Sequence, residues 1–109
     1  LLEFWGSGCL PCRKENPTLV KTYKKYQPKG FEIFAVSQDT KRESWLKAIK
    51  DDQLPWIQVS DLKGHNNTAS LIYGISYIPD NFLIDQNGII IERNLRGDKL
   101  KEKLNELLN

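Results

Sequence analysis

Two cysteines stand three residues apart in Cys9-Leu10-Pro11-Cys12, directly after Gly6-Ser7-Gly8. A dithiol at this spacing can close into a disulfide and open again, which is redox chemistry. The flanking residues place the pair where a strand turns into a helix. Helix N-termini carry unpaired N–H groups and partial positive charge, and both favour thiolate over thiol. Cys9 in the first turn is therefore the expected nucleophile, with Arg13 and Lys14 adding positive potential. Cys12, one turn on, is the expected resolving thiol, which attacks the mixed disulfide formed on Cys9. Pro11 lacks an N–H that the first turn would leave unpaired, so it stiffens the turn without loss.

Other readings of the pair are weaker. A structural disulfide closing so short a loop would stabilise little. A zinc site needs two further ligands, and His65 is the only histidine. It sits in a polar Gly-His-Asn-Asn stretch, so no metal site is expected. Two inert buried thiols would not need a glycine turn and a helix start beside them.

Two carboxylates join the candidates. Glu3 interrupts the apolar run Leu1-Leu2-Glu3-Phe4, six residues before Cys9. If that strand is internal, burial raises the proton affinity of Glu3. If it is an edge, Glu3 faces water. Glu15 lies three residues after Cys12. It either raises the thiol proton affinities by like-charge repulsion or pairs with Arg13 or neighbours of Lys14 on a solvated face.

The elements that must position these groups follow from periodicity and turn signals. Leu1–Phe4 reads as a buried strand, and a helix follows over 9–26 with Pro17 expected to kink it. Gln27–Gly30 is a stop, and Phe31–Ser37 reads as a central parallel strand. Strand, helix, strand is a βαβ unit with a right-handed crossover. Lys41–Lys50 is a short helix, Trp56–Val59 a short strand, and Asn67–Tyr73 a short helix capped by Asn66 or Asn67. Asn81–Ile84 and Ile89–Arg93 form a hairpin around Asp85-Gln86-Asn87-Gly88. The last helix covers Asp98–Leu108, with Gly97 before it and Leu100, Leu104 and Leu107 on one face.

With those elements in view, Phe4-Trp5-Gly6-Ser7-Gly8-Cys9-Leu10-Pro11-Cys12 resembles the active-site segment of thioredoxin-fold proteins. The continuation Cys12-Arg13-Lys14-Glu15-Asn16-Pro17 is similar to the TlpA/ResA-like branch of thiol–disulfide oxidoreductases, as are Ile78-Pro79, Phe82-Leu83-Ile84-Asp85 and Leu95-Arg96-Gly97. The resemblance covers nearly the whole chain. It implies an α/β thioredoxin fold: a central mixed sheet flanked by helices, with an α-β insertion before the half that carries a cis-proline. It also implies site roles. Cys9 is the nucleophile and Cys12 the resolving thiol. Glu3 is the buried acid beneath Cys12, and Glu15 is the branch's active-site glutamate. Pro79 is the cis-proline facing the cysteines. The backbone at Ile78 would pair with an extended substrate segment, as an added strand does. Trp5 completes the substrate-facing set, packing beside the active site.

The implied activity is exchange of dithiol for disulfide with protein partners, in the reducing direction, supplied by an upstream electron donor. The cysteines serve as the redox centre, with no cofactor. The implied setting is extracytoplasmic, in the periplasm or cell envelope of a bacterium. The alternative is a thioredoxin-fold binding module whose disulfide is a local latch. Two positions depart from the family pattern. Gly8 stands where Trp is usual, which removes a lid. Asp80 follows Pro79 where Thr or Ser is common, and its charge would disfavour a thiolate nearby. A peroxiredoxin would want Pro and Thr where this chain has Leu2 and Gly6, and a copper chaperone would space its cysteines by three residues.

Composition sets the outer bounds. The 109 residues make one domain. We expect it to lack its N-terminal lead-in, because it opens directly on a strand; any membrane contact would lie in that missing part. Lys+Arg of 16 against Asp+Glu of 14 leaves +2, which does not suit nucleic-acid binding. No run approaches the ~18 apolar residues of a membrane helix. Residues 1–30 carry six Lys/Arg against two Glu, a solvated helix face or a docking face for an acidic partner. A monomer is expected.

Overall fold

The computed structural model describes residues 1–108. Five strands form one mixed sheet in the order β3-β2-β1-β4-β5. The strands are β1 (Leu2–Trp5), β2 (Phe34–Ser37), β3 (Ile57–Val59), β4 (Asp80–Ile84) and β5 (Ile90–Arg93). The helices are α1 (Leu10–Tyr26), α2 (Arg42–Asp51), α3 (Thr68–Tyr73) and α4 (Gly97–Leu108). β1 is the central strand. It runs parallel to β2 and antiparallel to β4, so both of its edges are paired.

The pleat of β1 sends alternate residues to opposite faces. On one face Trp5 packs with Cys12 and Leu19 of α1, Trp45 and Ala48 of α2, and Leu100 and Leu104 of α4. On the other, Phe4 packs with Val36, Phe82 and Tyr73, the last from α3. Helices therefore cover both faces, as the implied architecture requires. The insertion of α2 and β3 extends the sheet beyond β2 as a third parallel strand. This makes β2 internal, as its apolar pattern indicates.

Boundary differences have local causes. The strand read over 31–37 is laddered only from Phe34, because Gly30 at φ 105° and the Phe31 N–H to Tyr26 carbonyl bond still close off α1. Phe31 and Ile33 are buried all the same. α1 runs unbroken through Pro17 from Leu10 to Tyr26, with Cys9 as its cap residue. Asn67, rather than Asn66, caps α3, accepting from the Ser70 amide at 2.8 Å. α4 begins one residue early, at Gly97. In the hairpin, Asp85 Oδ1 accepts from the amides of Asn87 and Ile89, and a bulge falls between Leu83 and Ile84.

Candidate active site

Cys9 and Cys12 are joined by a disulfide at the N-terminus of α1, with Cα atoms 5.2 Å apart. Their environments differ. Cys12 is 2% exposed and sits in the core cluster, whereas Cys9 is half-buried at the helix cap. The amide of Cys12 donates to Cys9 Sγ at 3.2 Å. An unpaired helix N–H thus already points at the sulfur that would carry negative charge once the bond is reduced. Cys9 is thus the more exposed of the two cysteines and Cys12 the buried one.

The turn before Cys9 is held from two sides. Asp39, 8% exposed beyond the end of β2, accepts from the Ser7 amide at 3.2 Å and from the hydroxyls of Ser7 and Ser37. Arg13 Nη1 donates to the Ser7 carbonyl at 3.1 Å. The same guanidinium grips Asp52 with Nε at 2.6 Å and Nη2 at 2.9 Å, and Asn16 donates to Asp52 at 2.8 Å. That pairing holds the Asp52 carboxyl below its ordinary range. Arg13 is therefore committed to the C-terminal end of α2. Its charge is neutralised there, so it adds less potential at Cys9 than its place in the sequence suggests. The insertion thus also anchors the active-site turn.

Glu3 faces the side of the sheet that α1 and α4 cover, alternating with Phe4 and sharing its face with Trp5. It is 4% exposed on the central strand, so the edge-strand reading does not apply. Asn81 Nδ2 and Arg96 Nη1 each donate to its carboxylate at 3.3 Å. Burial raises its pKa from 4.5 to about 8, with Arg96 pulling it down and Glu15 pushing it up. Glu15 does not pair with Arg13 or lie in open solvent. Both of its oxygens accept from Arg96 Nη1 at 2.7 Å. Arg96, between β5 and α4, therefore bridges the two carboxylates. Asn81 also ties β4 to the α4 lead-in through the Leu95 amide and carbonyl.

The Ile78–Pro79 bond is cis. A Cβ on Gly6 would lie 3.2 Å from Ile78 Cδ1, so glycine there allows the proline loop to approach the cysteine turn. Ile78 and Pro79 are half-buried at the rim. Two expectations need correction. Trp5 is 2% exposed, and its Nε1 donates to Gln58 at 3.0 Å. It is a packing residue and cannot touch a substrate. Asp80 is 2% exposed and accepts from Arg93 at 2.7 Å and from the Asn81 amide. Its charge is satisfied on the sheet face of Phe4 and Phe82, not offered to the thiolate. His65 is exposed beside Gln38, and no metal-holding cluster of His, Cys, Asp and Glu occurs among the described residues. Gly8 is exposed with nothing within 4 Å of its Cβ direction, which leaves the rim open where a lid residue would stand.

A family model described as the AhpC/TSA family matches residues 1–93. The chain belongs to the AhpC/TSA family. Within it, the proteins it resembles are thiol–disulfide oxidoreductases. The thiol–disulfide oxidoreductase ResA of Bacillus thuringiensis subsp. konkukian is 36% identical over 107 residues, covering 98% of this chain and 60% of that protein. The chain thus spans about 60% of the length of the curated relatives it matches. A thiol–disulfide oxidoreductase from Bacteroides fragilis is 39% identical with a TM-score of 0.91, covering 98% of this chain and 79% of that one. The thioredoxin domain of a thiol–disulfide oxidoreductase from Bacteroides vulgatus is 40% identical with a TM-score of 0.90, covering 99% and 77%. The thioredoxin-like fold expected from the sequence is the fold this AhpC/TSA member has.

Proposed function

We propose that this AhpC/TSA member exchanges dithiol for disulfide with protein partners and works as a reductant. The carrying observation is the pairing of a half-buried Cys9 at a helix cap with a buried Cys12 on the same sheet face as Glu3. Cys9 as thiolate attacks a substrate disulfide. A Cys9–substrate disulfide forms and one substrate thiolate leaves. Cys12 gives its proton to the ionised fraction of Glu3 and attacks Cys9 Sγ, closing the Cys9–Cys12 bond and expelling the second substrate thiolate. Two electrons pass to the substrate, and an upstream dithiol donor restores the reduced pair. The open rim at Gly8 and the backbone at Ile78 receive an extended segment.

The cysteines are the redox centre, with no further cofactor in the scheme. The resemblance to ResA supports an extracytoplasmic site of action. Peroxidase chemistry is not proposed, because Leu2 and Gly6 stand where a peroxiredoxin would carry Pro and Thr.

Direction and reversibility are read together by equilibrating the protein with graded glutathione and dithiothreitol buffers. A reversible couple near the thioredoxin value of about −270 mV is expected. A value near −120 mV, typical of strongly oxidising dithiols, would reverse the direction. A disulfide that does not equilibrate at all would favour the binding-module reading.

A further inference from the structure

Arg96 is the residue on which the polar half of the site converges. Its Nη1 meets Glu3 at 3.3 Å and both oxygens of Glu15 at 2.7 Å. Its Nε donates to Asn94 at 2.8 Å, which fixes the plane of the guanidinium. Its Nη2 is buried with no hydrogen-bond partner among the described residues, so its hydrogen bonds to the two acids run through one nitrogen. A guanidinium usually meets a carboxylate with two nitrogens in a fork. Here the fork is not used. One NH2 nitrogen, Nη1, serves two acids on different elements, β1 and α1.

We propose that Arg96 is the positioning residue of this site: one guanidinium nitrogen, shared between Glu3 and Glu15, sets how readily Glu3 takes up and releases a proton beside Cys12. The proposal deepens the exchange reading and rests on it only for the consequence at Cys12. The charged and titratable groups around Glu3 are few. The β5–α4 link supplies Arg96 and α1 supplies Glu15. β2 presents Ala35 and β4 presents Asn81, neither of which ionises.

The signs are opposed, which makes the division testable. Arg96 favours the charged form of Glu3, and Glu15 opposes it. Removing Arg96 strips Glu3 of the only cation that contacts it among the described residues and leaves the Glu15 charge without that partner. Both changes favour the proton. Removing the Glu15 charge does the reverse, because it deletes a like charge and leaves Arg96 to Glu3 alone. A residue that merely props the fold would not move the two variants in opposite directions.

The test reads Glu3 itself, by carbon-13 NMR of the side-chain carboxyls in the oxidised protein, with the signal assigned by its loss in Glu3→Gln. Arg96→Met is expected to raise the Glu3 midpoint by about one pH unit or more. Glu15→Gln is expected to lower it, and Arg96→Lys to fall between wild type and Arg96→Met. An unchanged or lowered midpoint in Arg96→Met, or a raised one in Glu15→Gln, overturns the proposal. Should Arg96→Met not fold, Glu15→Gln still decides the sign. The reading needs no turnover. Loss of disulfide exchange with these shifts intact would count against the proposed function, while failed shifts in a protein that turns over would count against Arg96.

Discussion

Cys12→Ser is expected to turn the protein from a turnover catalyst into a trap. Cys9 keeps its helix-cap setting, so it still attacks a substrate disulfide. No second sulfur then attacks Cys9 Sγ, and the mixed disulfide persists. Incubated with an oxidised protein substrate, the variant should accumulate a covalent adduct visible by intact mass and cleared by dithiothreitol. Multiple-turnover reduction should fall to the uncatalysed rate. Cys9→Ser should form almost no adduct, because Cys12 is 2% exposed. Equal trapping by the two variants would remove the assignment of nucleophile and resolving thiol.

The second large effect belongs to Glu3. The unfolded chain releases this proton near 4.5, while the folded protein keeps it to about 8. Across that window the folded state binds more protons than the unfolded one, so stability falls as pH rises. The contribution is intact below about pH 4.5, declines between 4.5 and 8, and is fully lost above 8. Its full size is on the order of 5 kcal/mol. Glu3→Gln keeps an acceptor for Asn81 and Arg96 but carries no proton to lose. Between pH 5 and 8 the wild type should therefore lose more than about 10 °C of Tm relative to Glu3→Gln. Comparing the two proteins cancels the carboxylates they share, such as Asp52. Parallel curves would mean that Glu3 does not hold its proton. Glu3→Gln should also slow release of the mixed disulfide about 100-fold, the lower range for a missing proton acceptor.

The opposite proton behaviours of Glu3 and Asp52 show what the fold does with carboxylates. Asp52, partly open to solvent, gains a forked arginine and an amide, and its proton is held less tightly. Glu3, fully enclosed, has only part of a guanidinium nitrogen and one amide to set against burial. Desolvation therefore dominates for Glu3, and the direct partner dominates for Asp52.

The cysteine pair, its strand–turn–helix setting and Glu3 were legible because each signal is local, whereas Pro79 was legible through the family resemblance. A CxxC needs only a glycine turn before it and a helix after it. A lone acid in an apolar strand marks itself. The supporting residues were not legible in the same way. Arg96 meets Glu3 across 93 residues, Arg13 meets Asp52 across 39, and Ser7 meets Asp39 across 32. No short pattern announces such pairings, since an arginine near a loop is ordinarily read as solvated. Arg96 did appear in the Leu95-Arg96-Gly97 segment that resembles the family, but the motif carried no role for it. Asp80 and Trp5 failed for a related reason. Sequence places them beside the site, while the pleat of β4 turns Asp80 to the opposite face and Trp5, though packed with Cys12, is buried against Gln58. Phe31 and Ile33 read as strand because burial and pairing share the same apolar signature, whereas the closing of α1 through Gly30 delays pairing to Phe34.

Catalysed reduction of insulin by dithiothreitol near pH 7 tests most directly whether the Cys9–Cys12 pair performs disulfide exchange. Precipitation of the insulin B chain should begin several times sooner with the wild-type protein than with dithiothreitol alone, and the acceleration should vanish in Cys9→Ser. An unchanged lag, with Cys9 and Cys12 shown to be reduced in the same mixture, would contradict the account.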